Sequence, residues 1–171
     1  EVAVRKHLVE QARIQNGHRV LDLGAGTGTL TILMGQAYPQ AHVVGLDGDP
    51  LVLELARGKA EAAGVDIQWD EALAYALPYP DNTFDRVVSS LMFHHLTLED
   101  KVNALWEVWR VLRPGGELHI FDFGKPHTVA ARLISLLVRQ MEETADEIDG
   151  LLPDLLRQAG FRDVQEIDQQ M

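Results

Sequence analysis

The chain has 171 residues, of which 46% are hydrophobic and 24% are charged, as is typical of one globular domain with an ordinary core. It has no cysteine, which excludes disulfides, thiolate metal sites and a cysteine nucleophile. The net charge of -11 argues against nucleic acid as a partner, because binding to phosphates needs a basic surface.

Apolar runs of strand length alternate with helical patterns along the chain. This alternation predicts an α/β fold, doubly wound, with a mostly parallel sheet in the order 3-2-1-4-5 and helices on both faces. In chain order the sequence predicts helix Val2–Gln15, strand Arg19–Leu23, helix Thr29–Tyr38, strand His42–Leu46, helix Pro50–Ala63, strand Asp66–Trp69, strand Phe84–Ser89, helix Leu98–Leu112, strand Glu117–Phe123, helix Thr128–Glu143, helix Leu152–Ala159 and strand Val164–Ile167.

The boundaries of two helices carry clear local signals. Thr97 stands where an N-cap would begin the helix that follows it, and Pro114 ends that helix. The sequence "PGG" then predicts a turn into the next strand. Gly160 stands in the C′ position after the helix that ends at Ala159.

Three glycines, Gly24, Gly26 and Gly28, separate the predicted strand "RVLDL" from the helix that follows. In an open parallel sheet, ligands bind at the carboxyl ends of the strands, and glycine there lets a ligand approach the backbone. A dinucleotide site needs the spacing G-x-G-x-x-G, but the third of these positions is Thr29 here. The turn therefore predicts a ligand site and disfavours a dinucleotide.

The second predicted strand leads into an acidic residue, Asp47, within "VVGLDGDP". A carboxylate at this place can accept charge-assisted hydrogen bonds from both hydroxyls of a ribose. NAD and S-adenosylmethionine both carry a ribose, so Asp47 alone does not distinguish between them. Thr29 favours S-adenosylmethionine.

Four segments in this order resemble the class I S-adenosylmethionine-dependent methyltransferases: "VLDLGAGTG", "VVGLDGDP", "LPYPDNTFDRVVSSLMFHHL" and "VLRPGGELHIFDF". The resemblance runs from about Val4 to Ile167 and is closest to the ubiquinone/menaquinone-biosynthesis-like (type 11) small-molecule methyltransferases. It implies a Rossmann-like fold with antiparallel C-terminal strands, S-adenosyl-L-methionine as cofactor and S-adenosyl-L-homocysteine as product. It also implies methyl transfer to a small molecule.

The resemblance further implies cofactor-binding positions in four parts of the chain: Asp22, Gly24, Ala25, Gly26 and Gly28; Asp47, Gly48 and Asp49; Leu73 and Ala74; Ser89 and Ser90. In the family, the glycine turn faces the methionine and ribose moieties. Asp22 would accept from the ammonium group and Asp47 from the ribose, while the two serines would lie at the methionine end. Asp49 is also the expected N-cap of the next helix, and both roles stay open.

One position departs from the family pattern. The family usually has an acid four residues before the "LP" pair, where it reaches the adenine amino group, and this chain has Leu73 there. Adenine would then be held by the backbone of Leu73 and Ala74 and by apolar contact. Asp70 or Glu71 could replace the acid only if the loop is rearranged.

The segment "SSLMFHHL" follows the fourth predicted strand and lacks the N/D-P-P-Y motif, which argues against DNA-adenine and protein-glutamine substrates. Its apolar residues Leu91, Met92 and Phe93 are candidates for lining a pocket. His94 is the candidate catalytic residue, as a base or hydrogen-bond donor to the substrate. The alternative for His94 or His95 is packing and capping of the next helix.

No metal site is predicted. His119 and Asp122 are three residues apart on a predicted strand, so their side chains point to opposite faces and cannot share a metal ion.

The predicted partner is a small, largely apolar or aromatic methyl acceptor. Two other classes of function stay open: a fold of this family that binds the cofactor without catalysis, and a nucleotide-binding oxidoreductase. No apolar run reaches the roughly 18 residues of a membrane span, and the N-terminus has no signal-peptide pattern. We therefore expect a cytoplasmic protein and treat residues 1–171 as one domain that is truncated at both ends.

Overall fold

The computed structural model describes residues 2–122 and 151–166. Its elements in chain order are α1 (Val2–Gln11), β1 (Arg19–Leu23), α2 (Thr29–Ala37), β2 (His42–Asp47), α3 (Pro50–Ala63), β3 (Gln68–Glu71), β4 (Phe84–Ser90), a single 3-10 turn (Phe93–His95), α4 (Leu98–Val111), β5 (Leu112–Phe121) and α5 (Leu152–Gln158). No helix in these two ranges is long and apolar enough to cross a membrane.

The five described strands form one sheet in the order β3-β2-β1-β4-β5, and each neighbouring pair is parallel. The predicted strand order is thus confirmed. In this order β1 lies in the middle, with β2 on one side and β4 on the other. The chain reverses its direction of travel across the sheet at that point, which is where parallel α/β sheets bind ligands.

Side chains of β1 alternate between two hydrophobic cores, one on each face of the sheet. Val20 packs with α1 and α2 residues such as Leu8 and Met34. Leu21, on the next position, packs on the opposite face with α4 residues such as Leu105. A strand that is buried on both faces carries apolar residues at neighbouring positions. This explains the adjacent Val20 and Leu21 in "RVLDL", from which the sequence predicts the strand.

The helix boundaries follow the local signals in the sequence. Asp49 caps α3 by accepting a hydrogen bond from the amide of Leu51 at 2.8 Å, and Pro50 occupies the first turn. Thr97 caps α4 by accepting from the amide of Asp100 at 3.2 Å. Gly160, with φ of 103°, follows the last described helix as expected.

Several predicted boundaries are wrong by a few residues. The first helix ends at Gln11 rather than Gln15, because the chain turns at Arg13, whose φ is 46°. The third strand is Gln68–Glu71 rather than Asp66–Trp69, because it pairs with β2 in the register Val44 with Gln68. Such shifts arise from strand pairing, which a single sequence does not display.

The C-terminal part shows the larger differences. β5 begins at Leu112, five residues before the predicted start. Phe84 of β4 pairs with Leu112, but Arg86 already pairs with Glu117. Residues 113–116 are therefore an irregularity in the strand, at the place where "PGG" predicts a turn. The predicted strand Val164–Ile167 is wrong for residues 164–166, which are in no strand. Any antiparallel strand after residue 166 stays a prediction, and the predicted helix Thr128–Glu143 lies outside the described residues.

Trp69 of β3 fixes the packing beneath the glycine turn. A Cβ atom on Gly45 would lie 2.4 Å from the Trp69 ring, and one on Gly28 would lie 2.5 Å from it. The indole therefore lies directly on two glycines, one in β2 and one at the start of α2. Glycine at these places is required by close approach of a side chain.

We expect Gly45→Ala to lower the free energy of unfolding by about 1–3 kcal/mol, because the added methyl group collides with the Trp69 ring. Gly58→Ala is the matched control, since Gly58 lies in the exposed part of α3 with no atom within 4 Å of a new Cβ. This control should raise the free energy of unfolding by about 0.5–1 kcal/mol. Urea unfolding of both variants measures the difference, and equal values for the two would contradict the packing described here.

Candidate functional site

A cavity of about 130 Å³ opens at the carboxyl ends of β1 and β2. It lies between the glycine turn, the end of β2, the loop after β3 and the segment after β4. Its lining consists of Gly24, Leu46, Asp47, Gly48, Ala72, Leu73, Ala74, Tyr75, Met92 and Leu96. Five of the positions that the sequence singles out for the cofactor therefore meet at one place.

The backbone amides of the glycine turn are engaged within the protein. The amides of Gly24 and Ala25 both donate to the carbonyl of Leu46 at 2.9 Å, and the amide of Gly28 donates to the carbonyl of Ala25. The amide of Gly26 donates to the Asp47 carboxylate at 2.8 Å. These four amides are therefore not directed at a ligand, as they would be in a phosphate-binding turn.

Asp47 joins the glycine turn to the start of α3. Its Oδ2 accepts from Gly26 and its Oδ1 accepts from the amide of Asp49 at 3.0 Å. The side chain is partly exposed and lines the cavity. Since a carboxylate has about four acceptor positions, two further donors can still bind there.

The structure supports the capping role of Asp49, whose Oδ1 accepts from Leu51 at the start of α3. Asp49 does not line the cavity, whereas its neighbour Gly48 does. A Cβ on Gly48 would lie 3.0 Å from the Leu73 side chain. The end of β2 and the loop after β3 therefore approach each other closely at this edge of the cavity.

Neither acid near Leu73 reaches the cavity lining. Asp70 accepts hydrogen bonds from the Tyr79 hydroxyl at 2.7 Å and from Gln68 at 2.8 Å. Burial, followed by this bond to Asp70, raises the pKa of Tyr79. Glu71 is exposed at the end of β3. Leu73 and Ala74 do line the cavity, together with Ala72 and Tyr75 of the same loop.

The loop after β3 is fastened to α4 by an ion pair that the sequence did not predict. Arg110 donates to the carbonyls of Leu77 and Tyr79 at 3.2 Å and 2.7 Å, and to Glu107 at 2.7 Å. Glu107 in turn accepts from the amide of Leu77 at 2.8 Å, and the bond from Arg110 lowers its pKa. The spacing of Glu107 and Arg110 on a helix is visible in the sequence, but their loop partners are not.

Asp22 is buried behind the turn and has no contact with the cavity in this structure. Its Oδ2 accepts a hydrogen bond of 2.6 Å from the Thr31 hydroxyl on α2. Burial raises the pKa of Asp22 to about 7, the bond from Thr31 opposes that rise, and the negative charge of Asp47 adds to it. Near neutral pH the carboxyl therefore titrates, and a cation brought close would favour its ionised form.

The two serines at the end of β4 differ in their surroundings. The Ser89 side chain is fully buried, its hydroxyl donates to the carbonyl of Leu23 at 2.9 Å, and Ser89 is not among the residues that line the cavity. The Ser90 Oγ is also buried, and within residues 2–122 and 151–166 it has no hydrogen-bond partner. An unsatisfied buried hydroxyl is costly, and a ligand group that pairs with it would remove the cost.

The chain bends sharply after β4. Leu91 has φ of 57°, a left-handed conformation that is strained for leucine. Met92 follows, and its side chain lies so close to Gly24 that a Cβ there would be 2.3 Å from Met92 Cγ. Of the three predicted pocket residues, Met92 lines the cavity, whereas Phe93 is buried in the core and Leu91 is partly buried.

His94 is paired with Asp122, a contact that the sequence does not predict. The His94 Nδ1 lies 2.7 Å from Asp122 Oδ1, and the His94 amide donates to Asp122 Oδ2 at 3.2 Å. The two residues are 28 positions apart and come together because β4 and β5 are neighbours that end at the same edge of the sheet. His95 is exposed, and its ring lies 3.9 Å from that of His94.

His119 lies 3.1 Å from Glu117, and burial, the main cause, lowers the pKa of this histidine. Within residues 2–122 and 151–166, no group of three or more histidine, cysteine, aspartate or glutamate side chains is arranged to hold a metal ion.

Known proteins share sequence similarity with most of this chain. A family described as a methyltransferase domain matches residues 20–116. The chain is 41% identical over 130 residues to the demethylmenaquinone methyltransferase of Thermus thermophilus. This alignment covers 76% of this chain and 58% of that protein. It is also 37% identical over 125 residues to the ubiquinone/menaquinone biosynthesis C-methyltransferase of Pasteurella multocida. That alignment covers 71% of this chain and 46% of the Pasteurella protein. The chain spans about half the length of the curated relatives it matches.

A solved structure with a different chemistry shares the same fold. The [4+2]-cyclase SpnF aligns with a TM-score of 0.77 at 25% sequence identity, over 92% of this chain and 56% of that chain. The fold therefore occurs in a protein whose name describes ring formation rather than methyl transfer.

We expect the stability of the chain to report on Asp22. The pKa of Asp22 is about 7 in the folded chain against an ordinary value of 3.8, so its contribution to stability is fully present below about pH 4 and is lost as the pH rises through about 7. Asp22→Asn, which is uncharged throughout, should remove this loss. As the pH rises from about 4 to about 7, the free energy of unfolding of the variant should increase relative to that of the original chain. The increase should be about 1.4 kcal/mol for each unit of pKa difference.

Urea unfolding at about pH 5 and about pH 8 measures this gain. Asp66→Asn is the control, because Asp66 is exposed in the connection between α3 and β3. Parallel pH profiles for the Asp22 variant and the original chain would show that the buried carboxyl is ionised at every pH tested.

Proposed function

The chain belongs to the methyltransferase domain family, and on this premise we propose that it binds S-adenosylmethionine at the cavity and transfers the methyl group to a small molecule. The observation that carries the proposal is the position of Asp47. Its carboxylate is fixed by Gly26 and Asp49 at the edge of the cavity and retains room for two hydroxyl donors.

The hydrogen bonds of the glycine turn support this cofactor over a dinucleotide. A pyrophosphate needs amide donors that point at it, but the amides of Gly24, Ala25, Gly26 and Gly28 are all engaged. S-adenosylmethionine has a ribose but no phosphate, so it needs close approach to the turn rather than its amides. Asp47 supplies the acceptors for the ribose.

Two buried polar groups near the turn fit the amino-acid end of the same cofactor. The Ser90 Oγ lacks a partner and would bind a polar group of the methionine moiety. Asp22, with its raised pKa, would be ionised by the ammonium group of that moiety, either directly or through water. On the opposite side, Leu73 and Ala74 would hold adenine by backbone and apolar contact.

The acceptor in this proposal is a small, largely apolar or aromatic molecule. The relatives in Thermus thermophilus and Pasteurella multocida are named for quinone methylation. The net charge of -11 would repel polyanions. When bound, S-adenosylmethionine supplies an activated methyl group, so this chain's task is to align the acceptor and exclude water.

A second candidate function is binding of the cofactor, or of another small molecule, without methyl transfer. The similarity to the cyclase SpnF favours keeping this alternative, because that protein has the same fold and is named for another reaction. This candidate uses the same cofactor site as the main proposal, but it predicts that no methylated product is formed.

Calorimetry with S-adenosylmethionine, S-adenosylhomocysteine and NAD tests the cofactor. We expect both sulfur compounds to bind and NAD not to bind. Incubation with S-adenosylmethionine and a panel of phenols and quinols then tests the transfer, which releases S-adenosylhomocysteine. Methylation of a nucleic acid or a protein, with none of the small acceptors modified, would contradict the proposal. Cofactor binding without any product would favour the second candidate.

We expect Asp47→Ala to weaken S-adenosylhomocysteine binding at least tenfold, which corresponds to about 1.4 kcal/mol, because the ribose loses a charged acceptor. Asp66→Ala removes an exposed carboxylate away from the cavity and should leave the affinity unchanged. Because Asp47 also holds the turn, Asp47→Asn is measured as well, since it keeps one acceptor oxygen. Unchanged affinity in the alanine variant would show that the ribose is held elsewhere.

A further inference from the structure

We propose that His94 is the proton acceptor of the methyl transfer and that Asp122 is its positioning residue. The inference rests on the proposed function and adds to it the class of acceptor. Such an acceptor carries an ionisable hydroxyl, as phenols, quinols and enols do, and has to lose that proton when it is methylated.

Asp122 holds His94 by two contacts. Oδ1 lies 2.7 Å from the ring Nδ1, and Oδ2 accepts from the His94 backbone amide at 3.2 Å. Asp122 has only 6% of its side chain exposed, whereas His94 has 20% exposed. A carboxylate bound to both the ring and the backbone of one residue fixes the orientation of that ring.

The pair lies beside the cofactor cavity. His94 does not itself line the cavity, but it belongs to the 3-10 turn between Met92 and Leu96, and both of these neighbours line it. Asp122 directly follows β5. The cavity is at the ends of β1 and β2 and the pair is at the ends of β4 and β5, so an acceptor placed between them would meet both.

The contact to Asp122 determines which ring nitrogen takes the proton. With Asp122 ionised, Nδ1 carries a hydrogen and donates it to Oδ1, and Nε2 is the basic nitrogen. The acceptor hydroxyl gives its proton to Nε2 while its electron pair forms the new bond to the methyl carbon. The carbon–sulfur bond of the cofactor breaks and its electrons remain on sulfur. The imidazolium, stabilised by Asp122, then releases the proton to water.

The other histidines in this part of the structure are differently placed. His95 is exposed and contacts His94 ring to ring. His119 pairs with Glu117 within β5, and neither His119 nor the residues beside it in the strand line the cavity. The pair of Glu117 and His119 is therefore a matched control, because it is a histidine–carboxylate contact of similar length outside the site.

The kinetic test compares two acceptors in the full chain. One is a phenol assayed about two pH units below its pKa of ~10, and the other is a nitro-substituted phenol that is already ionised at that pH. We expect His94→Gln and Asp122→Asn to lower kcat for the first phenol by roughly 100-fold. For the ionised phenol the loss should be under about threefold, since no proton has to be removed. Glu117→Gln should change neither rate.

A second readout does not depend on turnover. Nitrogen-15 NMR of the histidine rings, with the His94 signal assigned by its loss in His94→Gln, reports which ring nitrogen carries the proton. We expect the hydrogen of the neutral His94 ring on Nδ1 in the original chain. In Asp122→Asn this preference should be lost, and in Glu117→Gln it should be retained.

Two results would overturn the inference: a neutral His94 ring with its proton on Nε2, or equal losses of kcat with both phenols, which would indicate a structural role. Binding of S-adenosylhomocysteine, measured by calorimetry on each variant, keeps this inference apart from the proposed function. Failure of the proposed function would appear as no binding to the original chain. Failure of the present inference would leave that binding intact.

Discussion

The hydrogen bonds that join the carboxyl ends of β1 and β2 determine the geometry of the whole site. The carbonyl of Leu46 accepts from two amides of the glycine turn, and Asp47 accepts from Gly26 on one side and from Asp49 on the other. These bonds fix the turn after β1 against the start of α3. They also occupy amide donors of the turn, which are then not available to a phosphate group.

Two carboxyl groups at this edge of the sheet have opposite environments. Asp47 is partly exposed and accepts from backbone amides, whereas Asp22 is buried behind the turn and accepts from the Thr31 hydroxyl. Burial raises the pKa of Asp22, and the nearby charge of Asp47 raises it further. A positively charged ligand group near the turn would relieve that repulsion, while an anion would increase it. A cation is therefore electrostatically favoured over an anion at this edge of the sheet.

The sequence predicts those parts of the fold that depend on local signals. β1, α3 and the strand order follow from apolar runs, from the cap at Asp49 and from the alternation of elements. The shift of β3 could not be foreseen, because its register depends on pairing with β2. The site shows the same division. The position of Asp47 at the end of a predicted strand indicates its role from the sequence. The contact of His94 with Asp122 joins residues 28 positions apart, so no periodic pattern in the sequence indicates it.

The bend at Leu91 connects the two halves of the proposed site. A leucine with φ of 57° is costly, and its amide donates to the carbonyl of Phe121 at 2.7 Å, which holds the bend against the end of β5. The bend directs Met92 onto Gly24 and, two residues later, brings His94 to Asp122. Strain that a neighbouring strand sustains is typical of a functional site. Here it places Met92, which covers the glycine turn, and the proposed base His94 within a single turn of chain, so the conformation of one short segment positions both residues.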